Sequence, residues 1–315
     1  MPSRKKRILV FGATGEIGSR VVRGCLEAGH EICAVSRGQN TRHSVDIRAA
    51  RHVAGDKGDE AFVSALVSSE AFDTVIDTVP SAEHIALAYK HLHGRIEHYL
   101  LCSSTGVYPP LQYLPADEDH PWREKTTVNF DWVCPRDAYA LDLWEKHAFP
   151  VTILRPTNII GAGRIPIDLW GGRSIHYFEL MRRGETVEIP GSGNILVQPG
   201  CNEDLATGFV NAVVRGEEIC GETFILSCRR AITLDLYFDV AKDVLGSRCA
   251  AEHASLEHIV RKRPNEAEDV WLRFLMEHMC FDIAKAQAML GYAPRYSAEE
   301  GIELALRWCV DEGLL

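Results

Sequence analysis

Through the first 230 positions of this 315-residue chain, short apolar runs alternate with stretches whose apolar residues recur every three or four places. The runs predict strands at 7–11, 31–35, 51–54, 73–77, 97–102, 151–155 and 222–227. The intervening spacing predicts helices at 16–28, 58–68, 82–93, 136–147 and 202–215. In the last of these Leu205, Phe209, Val210, Val213 and Val214 share one face, and Asn202 or Asp204 stands where an N-cap belongs. Such alternation builds a parallel sheet with helices on both faces, so the fold class is α/β and doubly wound, with about seven strands. After about residue 228 the pattern turns helical, at 233–245, 267–278, 282–289 and 298–311, with a short extended piece near 251–256. A sheet domain of 1–165 and 200–230 is therefore expected, with a smaller, mostly helical lobe of 166–199 and 231–315. The longest aperiodic loop, 106–128, is of a length that usually carries function.

The first candidate chemistry lies at the end of the first strand. Ile8-Leu9-Val10-Phe11 runs into Gly12-Ala13-Thr14-Gly15-Glu16-Ile17-Gly18, and Val21, Val22 and Leu26 begin an amphipathic helix. Three glycines between a buried strand and a helix suit a dinucleotide: the first allows the tight turn, the second the approach of backbone N–H groups to a pyrophosphate, the third close helix–strand packing. This context makes the sheet a Rossmann domain. About twenty residues on, the second strand ends at Ser36-Arg37 with no acid to bind a ribose 2′-hydroxyl, and a cation there suits a 2′-phosphate, so NADP is expected rather than NAD. Asp56, after the third strand, is expected at the adenine edge.

Composition narrows the partners. The formal net charge of -10, without a stripe of Lys and Arg, argues against nucleic acid. The ten cysteines form no CxxC pair, and several lie in apolar runs, as free thiols do in a reducing, cytoplasmic setting. Met1 to Arg7 is basic, but the apolar run behind it ends at Gly12, too soon for a signal peptide or a membrane span. His91 and His93 fall on different helix faces and no HExxH occurs, so no metal is expected.

Further along, Ser103-Ser104-Thr105-Gly106-Val107-Tyr108 resembles a motif of the extended short-chain dehydrogenase/reductases, the NAD-dependent epimerase/dehydratase family. Thr152 to Gly161, Asn202-Glu203-Asp204-Leu205-Ala206, Cys280-Phe281-Asp282 and Leu290 to Pro294 resemble its later segments in the same order, so the resemblance spans nearly the whole chain. It implies a cleft between sheet and lobe, a small-molecule substrate, and the nicotinamide beside Ser104. It also implies cofactor contacts at Thr78, Val79, Pro80, Ser103 and Pro156, and substrate contacts at Asn129, Phe130 and Asn158. By the same layout Trp122, Trp132 and Trp170 would sit near the cleft. A homodimer is a further expectation.

The family's acid/base pair, Tyr-x-x-x-Lys, is absent after each of the nine tyrosines. Counting along the chain puts its place at Asn129 with Val133 or Phe130 with Cys134. Ser104 or Tyr108 could relay a proton instead, Tyr139 could act with Lys146 two turns on, or a substrate hydroxyl or water could serve. Sugar-nucleotide members usually carry an Arg shortly before the Asp-Leu-Ala helix. Here Leu196 to Cys201 has no cation, although Arg261, Lys262 and Arg263 could supply charge from the lobe. The main expectation is an NADP-dependent reductase of a carbonyl compound with a non-standard proton donor. The alternatives are an NAD(P)-dependent epimerase or dehydratase of a sugar-like substrate, and a non-catalytic NAD(P) sensor.

Overall fold

The computed structural model describes residues 4–39, 45–123 and 132–315. Its first six strands are β1 (Arg7–Phe11), β2 (Glu31–Ser36), β3 (Arg51–Ala54), β4 (Thr74–Asp77), β5 (His98–Cys102) and β6 (Val151–Pro156). Four short strands, β7 (Ile159–Ile160), β8 (Val187–Pro190), β9 (Leu196–Val197) and β10 (Gly200–Cys201), precede β11 (Thr223–Leu226), and β12 (Ile232–Thr233) and β13 (Ala251–Ala254) follow it. The central sheet has seven parallel strands in the order β11-β6-β5-β4-β1-β2-β3. Strand order reverses at β1, which pairs with β4 on one side and β2 on the other; the crevice beyond the carboxyl ends at such a switch point is where ligands bind in open α/β sheets.

Continuous apolar strands make sense here because helices cover both faces: β5 and β6 are buried along their whole length. One face carries α1 (Glu16–Glu27) and α6 (Asn202–Arg215). They approach closely at Gly24, where a Cβ would meet Val210 at 2.8 Å. The other carries α2 (Glu60–Ser69), α3 (Ala82–Leu92) and α4 (Val133–His147). Asp59 caps α2 through the Ala61 and Phe62 N–H groups, and Ser81 with His84 forms a capping box on α3.

A separate apolar core, around Trp170, Tyr177, Phe178, Phe238 and Leu306, belongs to the second lobe. The lobe's helices are α5 (Ile175–Arg182), α7 (Leu234–Val244), α8 (Leu256–Lys262), α9 (Asp269–Leu275) and α11 (Ala298–Asp311), whereas α10 (Ala284–Leu290) packs on α6 and β11 of the sheet domain. α5 and α8 have eight and seven residues, too short to show a repeating pattern in the sequence. α4 starts three residues before the expected helix. Pro135 reads as a breaker, but it sits in the first turn, where its missing N–H would have no intrahelical partner anyway. Among the described residues no helix is long and apolar enough to cross a membrane, and no three His, Cys, Asp or Glu side chains converge as a metal site.

Candidate functional site

A single cleft of about 700 Å³ runs from the glycine loop to the second lobe. Gly12 sits at φ +74°, and a Cβ there would lie 2.4 Å from Thr78 Oγ1. A Cβ on Gly18 would lie 2.1 Å from the Gly12 carbonyl oxygen. Both positions thus exclude a side chain, and α1 can start directly against the strand. The helix begins at Gly15 with no side-chain cap, and Gly15, Glu16, Ile17 and Gly18 line the cleft. An uncapped helix start of this kind fits a dinucleotide pyrophosphate.

Across the switch point, Thr78 Oγ1 donates to the Phe11 carbonyl at 3.0 Å and joins the β1 and β4 loops. Lys57 donates to Asp77 and, at 2.6 Å, to the Val79 carbonyl, while the Tyr99 hydroxyl donates to Asp77 at 3.1 Å. Burial pushes the Lys57 ammonium down, against the attraction of Asp77. This charged tie holds Thr78, Val79 and Pro80 along the cleft wall. The Ala13 side chain is buried in the core, with its N–H on the Val35 carbonyl, and Thr14 is half-buried. Ser36 and Arg37 follow Val35, the partner of Phe11 across the β1–β2 ladder, and Arg37 is exposed. Asp56 lies beyond β3, where it accepts the Gly58 N–H at 2.9 Å.

Ser103, Ser104 and Pro156 also line the cleft, at the ends of β5 and β6. Ser104 is half-buried and accepts the Gly106 N–H at 3.0 Å. The other two proton-relay expectations lose their geometry. Tyr108 is fully buried off the cleft, and its hydroxyl oxygen accepts from Arg155 at 2.5 Å. Burial pushes that phenol up to about 12 in spite of Arg155. Tyr139, on α4, packs half-buried against the core on that face of the sheet, and Lys146 pairs with Asp142 at 2.5 Å instead.

Asn129 and Phe130 lie outside the described residues. Of their counted partners, Val133 lines the cleft, while the Cys134 thiol faces the Val107 carbonyl. The aromatic and the cation that meet the cleft with a spacing of four are Trp132 and Arg136, at the start of α4. The Arg136 guanidinium lies 5.0 Å from the Trp132 ring centre and donates to Ser103 Oγ at 2.7 Å. It is anchored from behind by Asp137, fully buried, which also accepts from Ser103 at 2.6 Å and from Arg155 at 3.1 Å. An indole offers one N–H donor and no titratable proton at ordinary pH. A search by spacing, without insisting on Tyr and Lys, would have found this pair.

Toward the second lobe the cleft is lined by Asn158, which donates to Met279 Sδ at 3.4 Å, and by Arg164, Arg173, Glu266, Glu268 and Trp271. Glu16 is tied to Arg164 at 2.8 Å and to Asn202 at 3.1 Å, so it closes the loop's outer end. Trp122 and Trp170 do not line the cleft: Arg155 stacks on the first and Arg263 on the second, within packed interior. Lys262 and Arg263 are spent on the buried carboxylate of Glu188.

A model of the NAD dependent epimerase/dehydratase family matches residues 8–226. The chain is 27% identical over 322 residues to the chloroplast stem-loop binding protein of 41 kDa b of Arabidopsis thaliana, covering 95% of this chain and 78% of that protein. Among solved structures it is similar to a UDP-glucose 4-epimerase of Thermotoga maritima with UDP-glucose, at TM-score 0.77 and 19% identity, covering 98% of this chain and 100% of the other. A dTDP-glucose 4,6-dehydratase of Bacillus anthracis in complex with NAD superposes at TM-score 0.76 and 15% identity, covering 98% and 97%.

Proposed function

Because the chain belongs to the NAD dependent epimerase/dehydratase family, we propose that it is an NAD(P)-dependent epimerase or dehydratase of a sugar-like substrate rather than the net carbonyl reductase expected from sequence. The observation that carries this reading is the continuity of the cleft, from the uncapped start of α1 to a wall of arginines, carboxylates and Trp271. Solved structures of the same fold, one with UDP-glucose and one in complex with NAD, support it. When bound, the nicotinamide supplies the hydride chemistry. The protein's part is to hold the dinucleotide on Gly15, Glu16 and Ile17, to orient it between Thr78 and Pro156, and to set Ser103 and Ser104 against the reacting end. Trp132 has no proton to exchange and Arg136 is locked on Asp137, so proton transfer falls to Ser104, a water or a substrate hydroxyl. Incubation with UDP-glucose and dTDP-glucose is expected to yield an isomerised or dehydrated sugar, read by NMR, with no net change in NAD(P)H absorbance. Steady NADPH oxidation with simple ketones would instead restore the reductase reading.

One observation favours a second reading. Trp132 and Arg136 occupy the acid/base spacing with an indole and with a guanidinium already held by Asp137 and Ser103. A protein that binds dinucleotide tightly and converts none of these sugars is a sensor.

The cofactor is proposed to be NADP, on the exposed Arg37 at the tip of β2. A charge-assisted hydrogen bond of about 1.5–3 kcal/mol makes NADPH bind roughly ten- to a hundredfold tighter than NADH. Arg37→Ala is expected to erase most of that ratio in paired titration calorimetry; an unchanged ratio refutes the assignment. A small-molecule partner is favoured over nucleic acid because the net charge is -10 and Arg4, Lys5 and Arg7 are paired with Asp73, Glu97, Glu31 and Glu70.

A further inference from the structure

Glu16 sets two demands of the start of α1 against each other. A carboxylate in the first turn suits the helix dipole, yet Glu16 lines the cleft at the place that suits a pyrophosphate, where negative charge repels the ligand. Its side chain is 12% exposed, so water and salt screen that repulsion poorly. The cation that faces it comes from the loop after β7: Arg164 Nη1 lies 2.8 Å from Glu16 Oε2.

Three side chains hold that loop in place. Arg20, buried on α1, donates to the Glu16 carbonyl at 3.0 Å and the Ala162 carbonyl at 2.5 Å, and its Nε reaches Glu203 of α6 at 2.8 Å. Asn202, fully buried, donates through Nδ2 to the Ala162 carbonyl at 2.9 Å and to Glu16 Oε1 at 3.1 Å. From the other side Arg173 donates to the Ile159 carbonyl at 2.8 Å and the Ile165 carbonyl at 2.6 Å. Each carboxylate oxygen of Glu16 therefore has its own partner, one an uncharged amide and one a guanidinium. The loop's bonds to α1 and α6 run through Arg20 and Asn202, so they do not depend on the Arg164 side chain. That side chain is 43% exposed, and an ion pair so open to water adds little to folding. Its charge matters for an anion that arrives beside Glu16.

We propose that Arg164 is a positioning residue for the dinucleotide, acting through Glu16: it neutralises the carboxylate and holds it aside, so that the start of α1 accepts a pyrophosphate. The inference rests on the dinucleotide-binding part of the reading above and adds the residue pair that tunes that affinity. It requires opposite signs from the two partners. Without Arg164 the repulsion by Glu16 is uncovered; without the Glu16 charge the repulsion is gone and Arg164 is released to the incoming anion.

The test is titration calorimetry with NADPH and with NADH on the full chain at low ionic strength. Arg164→Gln is expected to bind the better of the two roughly tenfold more weakly, and Arg164→Lys to keep most of the affinity. Glu16→Gln, whose amide oxygen still accepts from Asn202, is expected to bind roughly threefold tighter than wild type, and the double variant Glu16→Gln/Arg164→Gln to return to near wild type. Raising the ionic strength should narrow the gap between Arg164→Gln and wild type, a readout that a misfolded variant would not give. A pair that only fastens the loop would weaken binding in both single variants, with no recovery in the double. That pattern, or an Arg164→Gln variant that binds like wild type, overturns the proposal alone. A wild type that takes up neither dinucleotide overturns the dinucleotide reading and this inference together.

Discussion

Gly12→Val is expected to leave a folded chain that no longer takes up NADPH. Two effects add. A β-branched residue at φ +74° is strained by roughly 1–3 kcal/mol. Its Cβ would also overlap Thr78 Oγ1, 2.4 Å away, forcing apart the β1 and β4 loops that frame the start of α1. Each charge-assisted hydrogen bond lost at the pyrophosphate costs a further 1.5–3 kcal/mol or so, which brings the loss to roughly a hundredfold or more. Fluorescence titration with NADPH reads this directly. Gly94→Ala is the control: Gly94 sits at φ +72° with open space around it and lies off the cleft, so it reports backbone strain without obstruction. A Gly12 variant that binds as well as the Gly94 variant would remove the glycine loop from the site.

The second large effect is on stability. Asp137 is the only carboxylate that the described salt bridges give to Arg136 and Arg155, and all three side chains are buried. Asp137→Ala leaves two interior guanidiniums without a counterion and strips Ser103 of its acceptor, at a cost of about 3–5 kcal/mol. The urea midpoint is expected to fall accordingly. Asp137→Asn should fall by less, since an amide keeps one acceptor oxygen. Adding Arg155→Met to Asp137→Ala should return part of the loss, because it removes one of the stranded charges. An unfolding free energy within about 1 kcal/mol of wild type would mean that the network is solvated and does not support the cleft floor.

Much of this molecule was legible along the chain. All seven central strands and the glycine loop answer to local patterns: the inner strands are apolar because both their faces are buried, the edge strand β3 is mostly exposed, and a helix on a sheet must be apolar on one side. α4 starts three residues ahead of the expected position, with Pro135 in its first turn, where proline's missing N–H has no intrahelical partner. Tyr108 looked like an available proton relay because a motif records identity and not exposure; its hydroxyl proves to be committed to Arg155 in the interior.

The cleft itself was decided at a distance. Trp132 and Arg136 were in plain view as a spacing, but only the packing of α4 against β6 and the neighbouring α3 brings that arginine to Ser103. Arg164 and Arg173 sit in a loop without periodicity, and what directs Arg173 to the cleft is a buried aspartate folding that loop and α9 pressing on Gly171. Sequence by itself determined the longer elements, the central sheet and the glycine loop at the end of β1, since those follow from backbone geometry repeated within a few residues. Tertiary structure decided which charges face the cleft and which are spent inside, because a charge's availability depends on partners tens of residues away and on whether water can reach it.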